Sequence, residues 1–395
     1  PELFGFDGTQ TGFFDLQAMS QELRLSSPVD QRLRWEIGAY YLDWERFVSL
    51  STGVDTGQGI IRLERQPTTD PRNPTTSFLA DDNDNTSWAV FGSVDYSLND
   101  FWDLTVALRY DEEERIQNVS PLQFPAGEPG ARNEATFDKL QPKVTLRYQP
   151  NDNHNLYLTW GEGFRSGQFN QNGIAEVAAA AGINGVSDIA DQEESESFEL
   201  GYKGRYLDDR LQLNAAVFST DVEGQHFFSF IGAISAQILT NIDEVSLYGG
   251  EIDVVYRATD SLDLFAAYGF TDSEIDAYAV DPTTVGNDAP YIAEDTVNLG
   301  FQFETPMTDA LDFFLRGDYE RRGAQYWDPN NSTSRDPLNL LNARVGLRGS
   351  SGRWEVIASG QNLADKRYNS EWVAGGFSAR APGRIWGVKY RHNFE

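Results

Sequence analysis

The sequence predicts an all-β chain: an antiparallel, membrane-spanning β-barrel of about fifteen strands, folded as one domain over residues 1–395. Three observations predict it. Strand-length segments alternate apolar and polar residues with period two. Aromatic residues tend to stand at the ends of the apolar sets. Tight turns and long polar connections follow one another in strict alternation along the chain.

The alternation is clearest in four segments. Over residues 102–110, Trp102, Leu104, Val106, Leu108 and Tyr110 form one set, and Asp103, Thr105, Ala107 and Arg109 the other. Over 140–148, Leu140, Pro142, Val144, Leu146 and Tyr148 oppose Gln141, Lys143, Thr145 and Arg147. Phe313 and Leu315 oppose Asp312, Arg316 and Asp318, and Leu341, Ala343, Val345 and Leu347 oppose Asn342, Arg344 and Arg348. Successive side chains of a strand point to opposite faces, so each segment has one apolar and one wet face. A soluble sandwich would show the same period. Here the wet face is charged along its whole length, and Trp or Tyr caps an apolar strip of about nine residues, as a tilted strand crossing a bilayer requires.

The connections separate the two readings further. Seven short turns rich in Asn, Asp, Gly, Ser and Pro fall at 27–30, 98–100, 150–153, 207–209, 259–261, 307–309 and 349–352. Long polar connections at about 51–84, 118–134, 168–192, 229–238, 279–290, 325–336 and 363–380 lie between them. Such two-sidedness belongs to barrels with short turns at one membrane surface and long loops at the other. A sandwich has no reason to obey it. Fifteen is odd, and an open sheet in lipid leaves edge hydrogen bonds unsatisfied. The last segment reads as a closing strand, so the expectation is that further strands precede residue 1.

Composition narrows the functions. Hydrophobic residues make up 40% and mean hydropathy is −0.48, with no apolar run long enough for a membrane-crossing helix. A net charge of −30, from 31 basic and 61 acidic side chains, argues against nucleic acid as a partner. The absence of cysteine excludes disulfides, thiolate metal sites and thiol nucleophiles, and suits an oxidising compartment. No nucleophile elbow, zinc-protease motif or phosphate-binding loop is present, so no enzymatic activity is expected.

Four segments carry a resemblance. Residues 384–394 alternate and place aromatics at Trp386, Tyr390, His392 and Phe394, like the closing strand that the barrel-assembly machinery recognises, although Glu395 follows the Phe. Residues 361–368, QNLADKRY, resemble an element ahead of the last strand in TonB-dependent receptors. Residues 161–170, GEGFRSGQFN, are similar to a strand end of that family, and 20–27 with 33–41 resemble one of its mid-barrel hairpins. Occurring in the family's order, these segments identify the chain as the C-terminal part of a TonB-dependent receptor barrel. The resemblance implies twenty-two strands, an N-terminal plug and TonB-contacting box outside this chain, and residence in the outer membrane of a Gram-negative bacterium. It further implies active import of a scarce nutrient, most often a ferric siderophore, energised by TonB–ExbB–ExbD through the plug. Outer-membrane lipid and lipopolysaccharide and the assembly machinery are the further partners it implies. Two alternatives stay open from the residues alone: a passive porin-like channel, and a soluble β-rich secreted hydrolase or adhesin.

Candidate ligand-binding residues lie at the rim and in the loops. Phe164, Arg165, Phe169 and Asn170 sit where a strand meets a long connection, and could line the vestibule or simply fix the loop base. The loop aromatics Phe227, Phe228, Tyr326, Trp327, Trp372 and Phe377 could stack on an aromatic or chelate ligand, or serve as packing. Residues 81–85, DDNDN, resemble a calcium-binding run but lack its ligand spacing, so a solvated acidic stretch is favoured. His154, His226 and His392 are scattered and form no metal pair. No cofactor is expected. Residues 174–182, with four consecutive alanines, suggest a short helix within a loop.

Overall fold

The computed structural model describes residues 7–55, 75–120, 131–234, 236–373 and 377–394. In chain order the strands begin with β1 (Asp7–Ser26), β2 (Leu33–Asp55), β3 (Thr75–Ser97), β4 (Trp102–Val119), β5 (Arg132–Asn151) and β6 (His154–Arg165). A two-residue ladder, β7 (Gln168–Phe169) with β8 (Ile189–Ala190), encloses helix α1 (Ile174–Ala180). Then come β9 (Glu193–Tyr206), β10 (Leu211–Ile231), β11 (Ala236–Thr259), β12 (Leu262–Ala277), β13 (Asp295–Thr308) and β14 (Leu311–Arg322). The ladder β15 (Gln325–Tyr326) with β16 (Ser334–Arg335) precedes β17 (Leu338–Gly349) and β18 (Trp354–Gln361). The ladder β19 (Asn369–Trp372) with β20 (Ser378–Arg380) precedes β21 (Ile385–His392).

Leaving out the three small ladders, the strands form one 15-stranded antiparallel sheet in which every neighbour in space is the neighbour in sequence. The predicted strand number and antiparallel order therefore hold. Residues of β2, β3, β10 and β11 line one cavity, so the sheet curls until strands well apart in its order face each other.

The outer face of the sheet carries an apolar band. Val106, Leu108, Leu158, Leu200 and Val345 are all exposed on it, and cross-strand pairing aligns them: Val94 faces Val106, and Leu158 faces Leu200. A continuous apolar surface of this kind is a liability in water and a requirement in lipid. Rings mark its two edges. Trp102 packs on Tyr148 at 4.7 Å near the short turns, and Trp88 packs on Tyr110 at 5.4 Å toward the long connections. The concave face is polar. Asp103 receives Arg34 at 3.3 Å, Arg147 at 3.0 Å and the Ser97 hydroxyl at 2.6 Å. Further along, Glu199 accepts from the Tyr157 hydroxyl at 2.6 Å, and Asp253 from the Asn214 amide at 2.9 Å.

All seven short turns are present at one end. The turn between β9 and β10 puts Leu207, Asp208 and Asp209 at φ of 56°, 54° and 64°, the left-handed geometry a tight hairpin demands and only glycine adopts at no steric cost. The long connections needed correction. The run 229–238 is a hairpin tip, because β10 continues to Ile231 and β11 starts at Ala236. The connection placed at 51–84 is shortened at both ends by β2 and β3, and residues 81–85 lie within β3. Most of its remainder, with the middle of the 118–134 connection, falls outside the described residues. The physical reason is the same throughout. Beyond the lipid band the side-chain alternation loses its apolar face, yet the backbone ladder, indifferent to side-chain polarity, carries on.

Two small cores consolidate this end. Ile242, Val245, Ile275, Tyr278 and Ala289 are buried together between β11, β12 and the connection that follows. Ile174 of α1 is buried with Ala236 and Ile238 of the β11 start, which binds the helical connection to the wall opposite β3.

Candidate ligand site at the long-connection end

A cavity of about 410 Å³ at this end lies between strands β2–β4, the connection that follows β6, and the tip of the β10–β11 hairpin. Its floor is a grid set by strand register. On β2 the alternating residues Trp44, Arg46 and Val48 stand opposite Asn85, Asn83 and Asp81 of β3. These stand opposite Arg115, Gln117 and Val119 of β4. Period-two geometry puts all nine on the concave face.

The DDNDN run is thereby divided. Asp82 and Asp84 are exposed on the outer face, whereas Asp81 and Asn85 are buried, 3% and 4% exposed. The expected solvated acidic stretch is solvated at Asp82 and Asp84, while strand alternation turns Asp81, Asn83 and Asn85 inward and buries the first and last of them. Among the described residues no group of three or more His, Cys, Asp or Glu side chains is arranged to hold a metal ion.

Three buried polar atoms of this grid lack a hydrogen-bond partner: Oδ1 of Asp81, Nδ2 of Asn85 and Nε of Arg46. All three are closed off by their neighbours, so they lie within the cavity wall and do not open onto its interior. The other Asp81 oxygen accepts from Gln117 Nε2 at 2.9 Å. Asp81 lies seven residues beyond Trp88, outside the lipid band. Burial pushes its carboxyl up to about 6, against the opposing pull of the Gln117 hydrogen bond and the Arg46 charge. Arg46 is itself held below its usual range by burial and lies over the Trp44 ring at 5.9 Å. Arg115 is already engaged, by Glu113 at 2.6 Å and the Ser166 hydroxyl at 2.7 Å.

The GFRSGQFN segment supplies the roof. Asn170 is buried and acts as a strand substitute: its amide nitrogen donates to the carbonyls of Ser187 at 2.9 Å and Leu239 at 2.8 Å, and its oxygen accepts from Leu239 N at 2.8 Å. Its own carbonyl takes Gln117 Nε2 at 3.0 Å. One asparagine thus ties the connection to β11 and β4. Gly167 approaches the Ala190 carbonyl and the Phe137 ring so closely that an added Cβ would lie 2.2 Å and 2.5 Å from them. Phe169 lines the cavity beside Asn170. Phe164 is half-buried in β6, and the exposed Arg165 pairs with Glu193 at 2.6 Å.

The remaining aromatics do not form one site. Phe228 of β10 lines the cavity, but its neighbour Phe227 points to the other face and packs on the Ile242 cluster. Phe377 sits 6.2 Å from Phe228. Trp327 is 4% exposed and packs edge-on against Tyr291 at 5.4 Å, while Tyr326 belongs to β15 and its carbonyl accepts Tyr291 N. Trp372 accepts the Tyr291 hydroxyl on its carbonyl at 3.2 Å. Trp44, Arg46 and Gln117 were not singled out from sequence, and Asp81 and Asn85 only as part of the acidic run 81–85. Continuing the inward parity of β2 and β3 past the lipid band would have found them.

Comparison with known proteins adds a family. The profile of TonB dependent receptor-like β-barrels matches residues 3–363. A probable TonB-dependent siderophore receptor, PiuA of Acinetobacter baumannii, is 28% identical over 174 residues, 44% of this chain and 22% of that protein. The ferric yersiniabactin uptake receptor FyuA of Yersinia pestis superposes with a TM-score of 0.74 at 16% identity, over 98% of this chain and 56% of that one. The crystal structure of PiuA gives 0.72 at 18%, over 96% and 56%. At these identities the likeness to solved structures establishes the fold, and the chain spans little more than half the length of the receptors it superposes on.

Proposed function

The chain belongs to the TonB-dependent receptor β-barrel family, a family of outer-membrane receptors, and from that premise we propose that it forms the greater part of the wall of an outer-membrane importer of ferric siderophores, energised through TonB. The carrying observation is the family match across residues 3–363, whose long-connection end holds a cavity lined by both aromatic and polar side chains. That end is then the extracellular vestibule. The names of PiuA and FyuA support a ferric chelate as cargo. In this reading Phe169, Asn170 and Phe228 meet the ligand at the cavity, and Phe164 and Arg165 set the loop base. Tyr326, Trp327, Trp372, Phe377 and Phe227 shape the surrounding mouth. Iron travels as cargo, with no resident cofactor. Trp386, Tyr390 and Phe394 of the last segment, all exposed, are the residues offered to the assembly machinery and to lipid and lipopolysaccharide.

Uptake of radiolabelled iron by the source bacterium tests this directly. Deleting the gene encoding the full receptor should abolish accumulation of at least one ferric siderophore. Loss of TonB, or collapse of the proton gradient, should abolish it equally. Uptake that needs the gene but survives loss of TonB would point to a passive channel instead.

A further inference from the structure

The outer face of the sheet is hollowed within its apolar band, and strand register fixes the shape of the hollow. Leu200 of β9, Val217 of β10 and Gly250 of β11 share one row. Tyr202, Ala215 and Ile252 share the next row, toward the short turns. Ala215 and Gly250 are diagonal neighbours with little or no side chain, so they form a floor between larger residues. The resulting groove has a volume of about 730 Å³ and a lining that is almost wholly apolar. Leu200, Val217 and Ile252 beside it are exposed, so the groove is continuous with the surface that meets lipid.

Tyr202 joins this groove to a cluster of rings at the short-turn edge of the band. On β9, Tyr202, Gly204 and Tyr206 point to the same face, and His154 of β6 stands opposite Gly204. A Cβ on Gly204 would lie 2.8 Å from both tyrosine rings, so the glycine is what lets them lean together. Their hydroxyls hydrogen-bond to each other, and the Tyr202 hydroxyl meets His154 Nδ1 at 2.7 Å. With Nδ1 taken, Nε2 is the imidazole nitrogen left for a ligand, and a proton on it donates to an anion. The adjoining turns carry both charges. Arg205 N donates to the Asn153 carbonyl at 2.8 Å, which sets the 151–153 and 207–210 turns side by side. They bring the exposed Asp152, Asp208 and Asp209 next to Arg205 and Arg210. Arg205 approaches Asp209 only to 3.9 Å, and Arg210 is spent on the Arg257 and Ala258 carbonyls, so the carboxylates are weakly answered.

An apolar groove that ends in a hydrogen-bonding cluster and then in acidic turns matches one kind of amphipathic molecule. We propose that this surface holds a zwitterionic diacyl phospholipid of the periplasm-facing leaflet. One acyl chain lies along the Ala215–Gly250 floor, a phosphate oxygen accepts from His154 Nε2, and the headgroup ammonium faces Asp152, Asp208 and Asp209. An anionic headgroup keeps the phosphate contact but brings no ammonium to those carboxylates. At the other end of the groove Tyr248 donates to Asp272, and a carboxylate there repels the phosphates of lipopolysaccharide. The inference rests on the outer-membrane placement of the barrel and is independent of its cargo and of TonB.

The test uses the full-length receptor, purified in detergent and stripped of lipid, with phosphatidylethanolamine and phosphatidylglycerol as probes. Native mass spectrometry counts the lipid retained per receptor. Phosphatidylethanolamine should be retained one to one, and about tenfold more tightly than phosphatidylglycerol. Ala215→Leu fills the floor and should weaken both lipids about tenfold. His154→Leu should also weaken both. Asp208→Asn combined with Asp209→Asn keeps residue types at ease with the positive φ of this turn and should erase the preference between the two lipids. Val345→Leu, elsewhere on the apolar band, should change neither; retained heat-modifiable mobility shows that each variant is folded. Equal retention of the two lipids by the unaltered receptor, retention of neither, or retention indifferent to Ala215→Leu would overturn the proposal. So would lipopolysaccharide, or a second copy of the receptor, found in the groove and released by Ala215→Leu. Lipid is counted without TonB or cargo, so a negative result here leaves the importer standing, and failure of TonB-dependent uptake leaves the lipid site standing.

Discussion

Strands β3 and β4 cross two environments, and the same alternation means opposite things in each. Between Trp88 and Trp102 they turn Val90, Val94, Val106 and Leu108 outward, where these residues are among the exposed apolar side chains of the protein. Beyond Trp88 the outward positions become Asp82, Asp84 and Glu114, exposed, while Val119, Gln117 and Asp81 are buried on the concave side. The ladder is unbroken through both regions. What changes is the solvent outside: lipid below the ring edge, water above. The fold is thus a sheet whose polarity pattern is referred to its surroundings, with no single inside-out rule.

Substitutions at matched outward positions break or sharpen that contrast. The largest effect is expected for Leu108→Arg, in the middle of the apolar band. A charge facing lipid there should cost about 2–4 kcal/mol, measured as a shift in urea-dependent refolding of the full receptor into vesicles. Next comes Asn170→Ala, which orphans the backbone of Leu239 on both its N–H and carbonyl. About 3 kcal/mol of local stability should be lost, seen as faster proteolysis within 171–192 with the barrel intact. Leu108 acts through lipid and Asn170 through the roof, so the first should weaken insertion and the second should not.

Asp81→Asn probes the concave side, with a definite sign. The carboxyl is raised to about 6 in the fold from an ordinary value of 3.8, because burial penalises its charge. The folded state therefore binds this proton more tightly than the unfolded state. The Asp81 contribution favours folding below about pH 4, fades as pH climbs through 4 to 6, and becomes a full penalty above. Replacing it with Asn should raise stability by about 3 kcal/mol at pH 8 and flatten the pH profile between 4 and 6, read by urea titration of the folded receptor. Smallest of all is Asp84→Lys, one position from the end of DDNDN and exposed to water, which should change stability by less than about 0.5 kcal/mol.

This contrast also explains what could be read from the sequence. Within the lipid band, Val106 and Leu108 against Ala107 and Arg109 give an unambiguous two-faced signal, and the Asn–Asp turns punctuate it. Fifteen strands and their order follow from those alone. Past the band, Thr75 to Asn85 offers no apolar face, and a strand held only by partners on both sides looks like a loop. Phe169, Asn170 and Phe228 were legible as rim residues, because a strand-end motif or an aromatic pair marks them. Asp81 and Asn85 were not, since their role depends on a cavity roofed by residues some ninety positions later. Asn170 was legible as part of a motif, but nothing local reveals that it completes the pairing of Leu239.

The central claim is that the outer face between the two ring edges meets lipid while the concave face meets water. The chain contains no cysteine, so a thiol introduced at each of residues 103–109 can carry a spin label as its only such site in this segment. In the full receptor reconstituted into bilayers, collision with oxygen should peak at 104, 106 and 108, and collision with a water-soluble nickel chelate at 103, 105, 107 and 109. Labels at 106 and 108 found accessible to the nickel chelate, or shielded from both probes as in a water-soluble sandwich, would contradict it.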